Sequence, residues 1–172
     1  MLRYWLIAGT ATLSLLAGCG AKNDGPVRRE PGSWTRTTEI VRFEGKGATP
    51  QRRAEMQGLL DAMAGRSLCL TADAAAKENT LDNVQGSNVA GQNCAFGKPV
   101  YAGEHVALSG SCAVGAGKLR LSIKGVSGAT MQDLLMTTEQ LDARGAPEGA
   151  MEMRMRSRRN GDCKPGDIIP RP

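Results

Sequence analysis

Met151, Met153 and Met155 alternate with Glu152, Arg154, Arg156 and Arg158. A period of two sends the two sets to opposite faces of a β-strand, so 150–158 is expected to be a half-buried strand. Leu119, Leu121 and Ile123 alternate in the same way with Arg120, Ser122 and Lys124, which predicts a strand over 118–124. Residues 131–138 read as another, with Leu134 and Met136 inward. Residues 34–43, rich in Thr, Ile, Val and Phe, suit a pleated surface, but their alternation breaks. Val41 and Phe43 share one parity while Trp34 and Ile40 share the other, which predicts a β-bulge or burial on both sides.

The stretch from Asn93 to Cys112 predicts a hairpin. Folded about Gly103, with the loop Ala102-Gly103-Glu104, it sets Tyr101 opposite His105, Val100 opposite Val106, Phe96 opposite Gly110 and Cys94 opposite Cys112. Cys94, Phe96, Val100, Val106, Leu108 and Cys112 then share one face. Opposed residues lie within disulfide range, so one register gives both an apolar face and a Cys94–Cys112 bond. Pairing Cys112 with Leu119 and Leu108 with Ile123 extends that face.

A helical period appears once at length. Thr49 is a suitable N-cap, Pro50 fits the first helical position, and Met56, Leu59, Leu60 and Met63 follow at helical spacing before Gly65. That face reads as core packing or as the cover of a ligand. Thr71 is expected to cap a second, short helix over 72–77. Residues 79–93 read as a loop, 125–128 as a turn and 143–149 as a loop. The fold class that follows is mainly β: an antiparallel meander forming a curved sheet or open barrel, with one inserted helix in the N-terminal half and two disulfides.

The N-terminus changes the setting. Arg3 precedes an apolar run from Trp5 to Leu16, shorter than the roughly 20 residues a membrane span needs, and Leu16-Ala17-Gly18-Cys19 follows. This order resembles a lipoprotein signal in which Cys19 is acylated and becomes the first mature residue; a secretory signal with a chance cysteine is the alternative. The division expected is 1–18 signal peptide, 19–32 lipidated cysteine and flexible tether, 33–164 a single β-rich domain and 165–172 a tail. Of five cysteines, assigning Cys19 to lipid leaves an even set suited to an oxidising compartment. The hairpin takes Cys94 and Cys112, leaving Cys69 with Cys163. No CxxC spacing occurs, so no metal is expected.

Lys and Arg number 22 against 17 Asp and Glu, a mild excess that fits anionic envelope lipid and gives no reason to invoke nucleic acid. Aromatic residues make up 3% of the chain, so the core must be built from aliphatic residues and Met, and a modest core favours disulfide staples.

Pro31-Gly32-Ser33-Trp34-Thr35, Cys69-Leu70-Thr71, Ser109-Gly110-Ser111-Cys112 and Arg158-Arg159-Asn160-Gly161-Asp162-Cys163 occur in the order and spacing of a known family. The chain resembles the bacterial domain of unknown function 3617, found on exported proteins, over Pro31 to Cys163. It departs from that pattern with a helical insert at 48–65 and with Asp162 where the family often has proline. The resemblance implies no activity, because the family has none assigned.

No catalytic constellation stands out. His105, Glu104 and Tyr101 form the nearest approach to a proton-handling cluster, against which stands a plain surface-turn histidine. Arg154, Arg156 and Arg158, with adjacent Arg159, are candidates for contact with an anionic surface, or are a solvated strand face. The methionine row beside Leu119, Leu121 and Ile123 suits either core packing or a cavity for an apolar ligand. The expectation is a cell-envelope lipoprotein: a non-enzymatic binding or interaction module without cofactor, held to the outer membrane by the lipid on Cys19 and facing the periplasm. Its partners would be anionic lipid or an envelope protein. A small carrier of lipidic or apolar ligands is the alternative, and an enzyme the third reading. Mass spectrometry of the membrane fraction is expected to find Cys19 acylated as the first residue; a soluble wild-type product would contradict the lipid anchor.

Overall fold

The computed structural model describes residues 25–77, 81 and 94–169. The signal segment and Cys19 lie outside these, as does nearly all of the 79–93 stretch. The elements are β1 (Gly32–Gly45), α1 (Pro50–Ala64), β2 (Leu68–Leu70), α2 (Ala72–Lys77), β3 (Cys94–Phe96), β4 (Val100–Ala102), β5 (His105–Val114), β6 (Gly117–Ser127), β7 (Met131–Leu141) and β8 (Pro147–Arg159). They form one open eight-stranded sheet in the order β2-β1-β8-β7-β6-β5-β3, with β4 also on β5. Strands β5 to β8 are a simple meander. The first long strand, β1, pairs with the last, β8.

The sheet has an apolar inner face built from cross-strand rows. One row runs Leu108, Ile123, Met136, Met153, Ile40 across five strands. The next runs Val106, Gly125, Leu134, Met155, Thr38. Directly opposed side chains are the unit of sheet stabilisation, so these rows form most of the core. Tyr101, Val106, Leu108, Ile123 and Leu134 are buried there together with Leu81. The expected pairings of Cys112 with Leu119 and Leu108 with Ile123 are present. So is the bulge in β1: the register shifts between Ile40 and Arg42, returning Phe43 to the inner face opposite Met151 and leaving Val41 exposed.

Both disulfides are formed, Cys94–Cys112 and Cys69–Cys163. The hairpin carrying the first differs in part from the sequence reading. Cys94 faces Cys112 and Phe96 faces Gly110 as expected. Beyond Gly97, whose N–H donates to the Ser109 carbonyl, the register slips by one: Tyr101 faces Val106 and Ala102 faces His105. The turn is therefore the two residues Gly103-Glu104, with Gly103 at φ 58°, a conformation that favours glycine. The slip across Lys98 and Pro99 sends Tyr101 into the core and leaves Val100 exposed. Strands also run longer than expected: β6 includes 125–127 and β8 starts at Pro147.

Helix α1 begins as the sequence predicts. Thr49 caps it, its hydroxyl accepting from the Arg52 N–H at 3.2 Å, with Pro50 in the first turn. Its apolar residues do not enter the core: no residue of α1 is buried, and Leu59 and Met63 are largely exposed. What α1 does is cover an edge. Along β1, β2 covers Gly32, Ser33 and Trp34, and among the described residues no strand flanks that edge beyond them. Gln57 closes part of it: its Oε1 accepts from the Ile40 N–H at 2.8 Å and its Nε2 donates to the Thr38 carbonyl at 2.9 Å. Arg53 donates to the Ile40 carbonyl. A covered edge does not template further strands.

Cys69–Cys163 spans 94 residues of sequence and Cys94–Cys112 spans 18. In the chain-entropy model, closing the longer loop contributes about 4–5 kcal/mol against roughly 3 for the shorter. Cys69→Ser is therefore expected to lower the urea midpoint more than Cys94→Ser does. The comparison is made by equilibrium unfolding, with the pairing checked by non-reducing peptide mapping.

Candidate functional site

The methionine row leads to the largest structural surprise. Met153 and Met155 on β8, with Met136 beside them on β7, are only half-buried. Part of the inner face is therefore open, and it lies beneath the loosely held helix. Leu60, Met63 and Ala64 of α1 line the opposite side, and Leu68 and Ile168 close one end. Together they bound a cleft of about 470 Å³, within the range of small-molecule sites. Ile168, expected to belong to a free tail, is fixed by backbone hydrogen bonds: its N–H donates to the Ser67 carbonyl at 2.9 Å and its carbonyl accepts from the Cys69 N–H at 2.8 Å.

The cleft is apolar but for one side. Trp34 is buried there, its indole N–H donating to the Glu30 carbonyl at 3.0 Å. The Arg29 guanidinium lies 4.7 Å from the centre of the Trp34 ring, within cation–π distance. Arg29 is itself buried, whereas the sequence reading put it in a flexible tether. Arg36 and Arg66 complete the basic lining. Ser157 continues the inward methionine row, and its Oγ is a buried side-chain atom with no hydrogen-bond partner among the described residues. A serine interrupting an apolar row was the available signal for this spot. Trp34 and Arg36 carried none, since only the fold brings them here; the face of α1 with Leu60 and Met63 was readable as core packing or as the cover of a ligand.

Met151 and Leu119 do not join this cleft; they line a separate depression with Phe43. Leu121 and Ile123 are buried in the sheet. His105, Glu104 and Tyr101 do not converge, because the hairpin slip places Tyr101 on the inner face and His105, exposed, on the other.

The arginine row occupies the outer face, and much of its charge is matched. Arg154 grips Asp133 through two hydrogen bonds, Nε to Oδ1 and Nη2 to Oδ2, each 2.7 Å. Arg156 lies 3.6 Å from Asp133 and 3.8 Å from Glu39. Arg158 is exposed and has no ion-pair partner among the described residues. Arg159 points to the other face, where its Nε donates to the Pro31 carbonyl at 2.7 Å and its guanidinium pairs with Glu30 and Asp162. It ties the entrance of β1 to the exit of β8.

The hydrogen bonds from Arg154, with the charges of Arg154 and Arg156, hold the Asp133 carboxyl below its ordinary pKa. A carboxylate depressed on folding contributes stability above its unfolded pKa, about 4, and loses it as pH falls through the lower folded value. Asp133→Asn is expected to lower the Tm at pH 7 and to have a smaller effect at about pH 2. Thermal unfolding of both proteins at the two pH values checks this.

A family model described as "Protein of unknown function (DUF3617)" matches residues 29–163. No curated protein and no solved structure matches the chain.

Proposed function

The chain belongs to the DUF3617 family of proteins of unknown function, and we propose that it is a non-enzymatic binding module of the cell envelope whose working part is the cleft beneath α1. In this reading Cys19 carries the lipid that holds the module at a membrane surface, by the sorting pattern of enteric bacteria the periplasmic side of the outer membrane. The ligand is apolar, which joins the binding-module expectation to its small-carrier alternative. The observation that carries the reading is the cleft itself. Met136, Met153 and Met155 stay half-buried, and a helix with no buried residue stands over them. Met is flexible and polarisable, suited to apolar guests of variable shape, and a helix held mainly by edge contacts can shift without breaking the core. Two disulfides in one domain suit an oxidising compartment.

Contact of Arg154, Arg156 and Arg158 with anionic lipid stands as a weaker proposal, since Asp133 and Glu39 already answer two of the three charges.

The cleft is tested with the full chain in phosphatidylcholine vesicles and a hexadecanol carrying a photoactivatable diazirine. Peptides containing Met136 or Met153 and Met155 are expected to be labelled saturably. Ala64→Trp, which adds bulk to the α1 wall, is expected to reduce that labelling by roughly tenfold or more while both disulfides persist. Labelling spread over the outer face, unchanged by Ala64→Trp, would overturn the reading.

A further inference from the structure

Methionine is ordinarily among the side chains most often fully buried. In this domain the closed core is built from Leu, Ile, Val, Tyr and Trp, and no described methionine is fully buried. Met63 and Met131 are exposed, and Met56, Met136, Met151, Met153 and Met155 are half-buried. Met63, Met136, Met153 and Met155 line the cleft beneath α1. Met136 faces Met153 across β7 and β8, and Met155 follows on the same face opposite Leu134. Met136 and Met155 rest on the core and keep an accessible side.

Sulfur is what separates methionine from leucine in such a lining. With hydrogen peroxide, the thioether lone pair attacks one peroxide oxygen, and an S–O bond forms as the O–O bond breaks. The second oxygen takes the proton of the first and leaves as water. Sulfur is oxidised, the peroxide is reduced, and the product is a sulfoxide. A flexible apolar side chain has become a polar, chiral one.

The change acts unequally on fold and on binding. In the empty cleft a sulfoxide oxygen stays hydrated, because each of these side chains reaches solvent, and the core beneath keeps its packing. An apolar occupant would strip that water. The side chains of Leu60, Ala64, Leu68 and Ile168, which share the lining, have no donor to replace it. A polar group buried without a hydrogen bond is costly. Building on the apolar-cleft reading, we infer that Met136, Met153 and Met155 are a peroxide-sensitive modification site, whose conversion to sulfoxides closes the cleft to apolar ligands while the domain stays folded.

The experiment uses the full chain in phosphatidylcholine vesicles and the diazirine-bearing hexadecanol. The protein is treated with hydrogen peroxide, catalase removes the excess, and the probe is then added. Peptide mass mapping reads sulfoxide and probe, and thermal unfolding reads the fold. Exposed Met131, on the other face of β7, reports that the oxidant has acted. Sulfoxide is expected at Met136, Met153 and Met155, with a loss of labelling of roughly tenfold or more and a retained unfolding transition. At partial oxidation, labelling is expected to fall in step with sulfoxide at these residues. Met63→Leu, Met136→Leu, Met153→Leu and Met155→Leu together, which conserve volume closely, are expected to keep labelling after peroxide. Met131→Leu with Met151→Leu, outside the cleft, is expected to lose it as the wild type does. Undiminished labelling with sulfoxide at Met136, Met153 and Met155 would overturn the switch and leave the apolar cleft standing. So would their resistance to peroxide once Met131 is converted, or loss of the unfolding transition along with labelling. An untreated wild type that takes no label would overturn the cleft reading, and the switch with it.

Discussion

An open sheet with one apolar face and little to cover it is the constraint from which the rest of this structure follows. Eight strands present an inner face of aliphatic and methionine side chains, and α1 has its principal packing against β1. Apolar surface left in water forfeits stabilisation in proportion to its area. The molecule closes what it can through cross-strand rows, through Leu81 set into the middle of the core, and through a second cluster of Trp34, Leu70 and Ala75 where β2 and α2 fold over the start of β1. The cleft is one part of the face that these measures leave uncovered.

The same constraint accounts for how the edges are held. At the β1 side, Gln57 and Arg53 occupy backbone groups that a neighbouring strand would otherwise take. At the opposite side, Cys94–Cys112 pins β3 to β5. Phe96 lies on Gly110, where an added Cβ would come within 2.4 Å of its ring, so the glycine makes room for one of the few aromatic side chains in the chain. Arg159 and Cys69–Cys163 fasten the corner where the two ends of the domain meet. Polar and covalent restraints supplement a core that is small for its sheet.

What could be read in the sequence was what a period of two encodes. The strands β5 to β8, the β1 bulge and both disulfides followed from alternation and cysteine placement, because a single-residue slip in a long strand exposes its whole apolar set. Short strands escape that discipline. β4 has three residues, so exchanging Val100 for Tyr101 on the inner face costs little locally and is decided by the two-residue turn and by Pro99, which has no N–H to offer. Leu81 sat in a polar stretch with no period to mark it. The face of α1 misled for a different reason: its Met and Leu spacing is that of an ordinary core helix, yet Arg53 and Gln57 bind it to a strand edge. The candidate site combined both limits, with its methionines visible in one strand and its basic end assembled from separate segments.

The pairing of β1 with β8 imposes an order in time. Ribosomes deliver a chain from its N-terminus, so among the described strands β1 is the first long one to appear and β8 the last. Strands β5 to β8 can zip as neighbouring hairpins as they emerge, because each needs only a short loop to close. β1 must wait, its partner more than a hundred residues away along the chain. Until then its apolar residues and both edges stand without a sheet, a state prone to pairing with other chains. For a growing chain, then, the vulnerable interval ends only when its final strand is delivered, and any factor that shields the nascent protein has most to protect at the end made first.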